Sequence, residues 1–178
     1  MAFKLSFPLH NLGPFLTRNG IVNIDIYAQT GIPTDELSKL RNGFIKGIDA
    51  KKLFLIIKSS ALKIESALVQ IYPTVSLMPT GQETDKRKIE DIDTFFDSIE
   101  QNTLNKISDK TGISVTRLTN IRKSKVNPLA HELYLIELAT KTKPGTLFNV
   151  LYKDLELNTP EEEARLRLLE KNKSSKKH

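Results

Sequence analysis

Residues 107–124 read ISDKTGISVTRLTNIRKS, and they fall into register without a gap on residues 26–43, IYAQTGIPTDELSKLRNG. The two stretches share Thr30 with Thr111, Gly31 with Gly112, Ile32 with Ile113, Leu37 with Leu118 and Arg41 with Arg122. After one deletion in the later copy, residues 52–72 (KLFLIIKSSALKIESALVQIY) run parallel to residues 132–152 (ELYLIELATKTKPGTLFNVLY). A register that holds over helix-length stretches and the loops between them marks an internal duplication. The chain therefore reads as a first unit over 1–72, a linker over 73–87, a second unit over 88–158, and a C-terminal helix with a basic tail over 159–178.

Each copy predicts two helices about a tight turn, because Gly31 and Gly112 each close an apolar-periodic stretch where the chain must leave a helix through the left-handed region. Ser114 then stands at an N-cap position, its hydroxyl placed to accept from a first-turn N–H. Leu118 and Ile121, with Ile113 and Ile107, form an apolar wedge between the helices, repeated by Ile26, Ile32, Leu37 and Leu40. The run LFLII at 53–57 alone would suit a buried strand, but its counterpart carries Glu137 at helical spacing, which predicts helix.

Ser76, Pro79, Thr80 and Gly81 mark the linker, and Ile89, Ile92, Phe96 and Ile99 recur at three-to-four spacing as the first helix of the second unit. Thr159, Pro160 and the glutamates at 161–163 combine a cap, a proline at the first helical position and anions at the positive end of a helix. That helix is expected to reach about Lys171, with NKSSKKH beyond it unstructured. The fold class is thus all-α, two tandem five-helix units.

The 178 residues include no cysteine, so disulfides, thiolate metal sites and cysteine nucleophiles are excluded, and a reducing, cytoplasmic setting is expected. No apolar stretch reaches membrane-spanning length, and the N-terminal residues are interrupted by His10, Asn11 and prolines. The net charge of +6 is unevenly spread: two basic blocks of +4 each, 1–72 and 102–158, flank an acidic block of −4 over 73–101. Such blocks favour polyanion partners, since every neutralised phosphate releases condensed counterions. His10, His131 and His178 are scattered, no phosphate-cradling glycine loop or nucleophile elbow occurs, and Asp91, Asp93 and Asp97 read as a solvated helix face. His131 reads as a surface or capping residue. The expectation is a protein without catalysis, metal or cofactor.

With Thr103 opening a helix, Gly112-Ile113-Ser114 as the turn, Leu118 and Ile121 as the apolar pair, and Asn127-Pro128 after the following loop, residues 103–152 resemble the Cro/repressor, or XRE-type, helix-turn-helix family. Leu104 stands where that family often has glutamine, and Arg122-Lys123-Ser124 where it often has Glu-x-Gly. The resemblance implies double-stranded DNA as partner. It places Val115, Thr116, Arg117 and Asn120 at base edges, and Ser114, Arg122, Lys123 and Lys125 near phosphates. The side chains have the chemistry for those positions, since Arg pairs with guanine, Asn with adenine, and Val or Thr touches the thymine methyl, whereas phosphate contacts fix register.

The first copy resembles the same family, but Asp35 and Glu36 at the start of its recognition helix would face phosphates unfavourably, which implies a degenerate unit. Phe54 and Ile57 stand where the second copy has Tyr134 and Glu137, so the first copy offers apolar surface for assembly, to be buried by the other repeat, the N-terminal segment or a second chain (a homodimer or protein partner), or within a larger core of its own. The alternative to a DNA-binding regulator is a protein-interaction module, antitoxin-like or an adaptor subunit, on the same scaffold.

Overall fold

The computed structural model describes residues 7–77, 91–93 and 103–176. Among them lie ten helices and no strand: α1 (Leu12–Arg18), α2 (Asn23–Thr30), α3 (Thr34–Arg41), α4 (Ala50–Ser59), α5 (Ile64–Ile71), α6 (Thr103–Thr111), α7 (Val115–Arg122), α8 (Ala130–Ala139), α9 (Thr146–Tyr152) and α10 (Pro160–Ser175). The described residues form an all-helical structure, and residues 53–57 are helix. Most of the expected linker, and the expected helix around Phe96 and Ile99, lie outside the described residues; Ile92 is within them and buried.

The backbone repeats along with the sequence. Gly31 and Gly112 both turn the chain at φ 75°, a conformation that costs glycine nothing because it has no Cβ. Gly43 and Ser124 take positive φ after α3 and α7, and Ala61 and Lys141 do so after α4 and α8. Thr30 and Thr111 donate to the carbonyls of Ile26 and Ile107 at 2.6 and 2.7 Å, and the same hydroxyls accept from the N–H of Ile32 and Ile113. The wedge residues of both copies are buried.

The copies meet reciprocally. Ala50 N–H donates to Pro128 O at 3.0 Å, and Ala130 N–H donates to Ile48 O at 2.7 Å, forming an antiparallel bridge between Asp49 and Leu129. Those donors open α4 and α8, where a helix leaves N–H groups without intrahelical partners, so each copy satisfies a first-turn donor of the other. The ring of Phe54 lies 5.7 Å from Tyr152, and that of its counterpart Tyr134 lies 6.4 Å from Tyr72, the counterpart of Tyr152. Equivalent surfaces facing each other are the signature of an isologous, two-fold contact, here made inside one chain.

Phe54 and Ile57 are 7% and 1% exposed, so the apolar surface assigned to assembly is covered within the chain. Burying each such side chain contributes about 1.5–3 kcal/mol.

The last helix exceeds the expected length. Thr159 caps α10 by accepting from Glu162 N–H, and the helix continues to Ser175 through residues expected to be unstructured. It has a seat: α10 packs along α2, burying Leu166 and joining Arg167 to Asp25 at 2.8 Å. Just before it, Asn158 bonds the carbonyls of Ala28 and Gln29, both at 2.8 Å. The first copy presents Tyr27 and Ala28 to this contact, where the second has Ser108 and Asp109.

Glu137 is fully buried rather than solvent-facing. Its carboxyl reaches the start of α9, accepting from the N–H of Gly145 at 2.8 Å and of Leu147 at 2.7 Å. Gly145 has no side chain to cap that helix and none would fit, since a Cβ there would lie 2.6 Å from Ile64. Burial pushes the Glu137 carboxyl up to about 8 against the pull of its donors. An acid raised in this way stabilises the fold fully below its unfolded value, ordinarily 4.5, and loses that contribution as pH rises through about 8. His131 is shifted the other way, chiefly by burial, so its contribution is lost as pH falls below its ordinary 6.5.

Between about pH 6.5 and 8 the Glu137 trend is the one expected among the shifts resolved for the described residues. The melting temperature should fall across that window in the wild type and stay level in Glu137→Gln, and Glu137→Ala should cost about 2–4 kcal/mol in urea denaturation at pH 6.5. A wild-type melting temperature that is level from pH 6.5 to 8 would mean that the donors to Glu137 outweigh its burial.

Candidate functional site

α7 is built as an outward-facing helix with a clean first turn. Ser114 Oγ accepts from Arg117 N–H at 3.2 Å, and no acidic residue stands in the opening turn. Leu118 and Ile121 point into the core, which fixes the opposite face by helical periodicity. Ser114, Val115 and Thr116 are exposed at its start, Asn120 is half-buried midway, and Lys123 and Lys125 are exposed after its end. The side chains of Thr116, Asn120, Lys123 and Lys125 make no hydrogen bond or ion pair with the described residues.

Arg117 does not join that face. Its Nε and Nη2 donate to the two carboxylate oxygens of Glu132, each at 2.8 Å, and Nη2 also donates to Asn127 O at 3.1 Å. Glu132 is buried and accepts in addition from Leu129 N–H at 2.7 Å. The guanidinium fork thus ties α7 to the first turn of α8, and the two-point geometry that would suit guanine is taken up by a carboxylate.

The same tie exists in the first copy with its charges exchanged. Glu36 occupies the position of Arg117, Lys52 that of Glu132, and Lys52 Nζ forms an ion pair with Glu36. One of the two acids that set the first copy apart in sequence is therefore engaged in holding α3 to α4. Asp35, the counterpart of Thr116, remains exposed.

Arg122 Nε donates to Asp93 Oδ1 at 2.7 Å; Asp93 is largely exposed, and such a pair contributes at most about 1 kcal/mol. In the first copy Arg41 is fixed internally, donating to Ile21 O at 2.6 Å, Asn23 Oδ1 at 3.0 Å and Thr17 Oγ1 at 3.2 Å. His131, expected at the surface, is 3% exposed. It stacks edge-on against Phe7 at 5.9 Å, and its Nδ1 and the hydroxyl of Tyr72 are both buried without partners. Burial at the junction between the copies overrides its polarity.

The face around α7 gathers Ser114, Val115, Thr116, Asn120, Lys123 and Lys125, leaves Arg122 at its margin beside Asp93, and withdraws Arg117. Sequence reasoning missed Glu132 and Glu137, the acids that position the elements around this face. For Glu132 a signal was present: aligned positions 36/117 and 52/132 exchange charge together, as a conserved contact requires.

No protein-family model, curated protein or solved structure matches the chain. It is an all-helical protein, and among the described residues no helix is long and apolar enough to cross a membrane.

Because Glu132 is buried and Arg117 about one-third exposed, Arg117→Glu should destabilise the fold by about 2–4 kcal/mol, leaving two acids face to face. Adding Glu132→Lys reproduces the first copy's pair and should recover most of that loss in a double-mutant denaturation cycle. An additive outcome would show that the tie contributes nothing beyond its separate parts.

Proposed function

We propose that the chain binds double-stranded DNA sequence-specifically through α6, the Gly112 turn and α7, as a helix-turn-helix of the Cro/repressor type, and acts as a regulator of transcription. The observation that carries this reading is the outward face of α7: Val115, Thr116 and Asn120, with no side-chain partner for Thr116 and Asn120 among the described residues, are followed directly by the exposed Lys123 and Lys125. An α-helix fits the major groove, where Asn pairs bidentately with adenine and the methyls of Val and Thr meet thymine. Lysines at the end of such a helix reach phosphates and set its register without reading sequence.

Arg117 holds the reading helix at its angle, leaving base recognition to its neighbours. Arg122 lies at the margin of this face, paired with Asp93, and in the proposed docking a phosphate would stand near that pair. A helix face of this composition would equally suit a protein partner, and the DNA reading stands on the combination of unpaired groove-type side chains with adjacent cations.

Selection of bound sites from random duplexes, followed by titration against salt, tests the proposal. Asn120→Ala should cost about 1–3 kcal/mol on the selected site and relax one base position. Lys123→Ala should weaken all sequences alike and reduce the slope of log affinity against log salt by about one. Failure to enrich any duplex, with no salt-dependent binding, would hand the surface to a protein partner.

A further inference from the structure

The two copies carry the same helix pair, but among the described residues only the first has a further helix packed on it, against α2 and the opening residue of α3, while Asp35 and Lys39 of α3 stay exposed. In the first, α10 lies across α2 and reaches the opening turn of α3. Thr34 Oγ1 donates to Glu170 Oε1 at 2.6 Å, and Thr34 is the counterpart of Val115, which leads the outward face of α7. Arg167 pairs with Asp25 in the first turn of α2, and Lys173 Nζ sits 5.9 Å from the centre of the Tyr27 ring. Both polar anchors of α10 are at the N-terminal ends of α2 and α3, the ends that approach the duplex in a helix-turn-helix complex. Leu166, beside Arg167, is buried.

Acidity accounts for only part of the difference between the copies. Glu36 is neutralised by Lys52, which leaves Asp35 as the one unpaired acid in the first turn of α3. Nor does the chain offer its junction surface to a second copy, because residues 48–50 and 128–130, together with Phe54, Tyr72, Tyr134 and Tyr152, are engaged with one another.

We infer that α10 is a built-in mask over the first copy, so that one chain engages duplex DNA as a monomer, through α7 alone, at a single non-palindromic half-site. The inference rests on the DNA-binding reading of α7 and adds to it which unit docks, how many do so, and what form the site takes. A two-fold repressor spans two half-sites about 10 base pairs apart; this chain has the internal two-fold relation but presents one head.

The absence of native cysteine allows a unique label. Asn127→Cys and Lys46→Cys place an iron–EDTA cleavage reagent in the exposed loop after α7 and after α3 respectively, on otherwise intact chains bound to the selected duplex. Cuts are expected in one cluster from position 127 and none from position 46, with one chain per duplex by sedimentation. In the Lys46→Cys chain that also carries Leu166→Asp and Arg167→Glu, which undock α10, a second cluster should appear about one helical turn away.

Helical circular dichroism and a cooperative melt establish that this variant is folded; if it is not, Arg167→Ala with Glu170→Ala replaces it. Cuts from position 46 in the chain with α10 intact, or none from it after α10 is released, overturn the mask. Loss of all binding and of cuts from position 127 refutes the DNA reading itself, an outcome distinct from either.

Discussion

Two hydrogen bonds, Ala50 N–H to Pro128 O and Ala130 N–H to Ile48 O, set the relation on which the other contacts between the copies depend. A helix start exposes donors that a buried setting must satisfy, and neither α4 nor α8 satisfies its first from its own copy. Alanine at both 50 and 130, fully buried, lets the two backbones approach closely. Once they do, Phe54 meets Tyr152 and Tyr134 meets Tyr72, Gly145 comes against Ile64, and Lys143 pairs with Glu65 at 3.0 Å. The contact is reciprocal at its centre, where the two backbone bonds and the two ring contacts each have a counterpart in the other copy.

Within that symmetric frame the copies diverge by charge and cover. The tie between the third and fourth helices is kept in both, as glutamate to lysine in one and arginine to glutamate in the other. What changes is the remainder. The first copy carries an apolar α2 surface with Tyr27 and Ala28, and α10 is laid over it; the second has Ser108 and Asp109 there, with no described helix on top. An ion pair between helices constrains two positions that must complement each other and leaves their sign free. Duplicated units can therefore drift in charge without losing the fold.

The candidate site illustrates a general limit on choosing binding residues by type. Arg117 has the chemistry to read guanine, but a guanidinium beside a buried carboxylate is bound to it by two charge-assisted hydrogen bonds that folding has already made. The residues that remain for a ligand are those the fold does not consume, and these are Val115, Thr116, Asn120, Lys123 and Lys125. In the proposed docking, affinity comes from the lysines and discrimination from the small polar and apolar side chains between them.

By itself the sequence determined the local structure: the glycines at both turns, the threonines that bond back into the preceding helix, the cap at Ser114, the wedge residues and the start of α10 at Thr159. These depend on interactions spanning three or four residues, whose chemistry is written in the order of the side chains. The paired exchange of charge at 36/117 and 52/132 was also legible there, since an alignment of the two copies displays it. Tertiary structure alone decided that His131 and Glu137 are buried, that Arg117 is tied to Glu132, and that the helix runs past Lys171 to Ser175. Periodicity registers hydrophobicity, and a buried acid looks solvent-facing until the helix start it caps is in place. A polar tail likewise looks unstructured until the rest of its helix has a surface to lie on, here Tyr27 and Ala28 of α2, more than a hundred residues away in the chain.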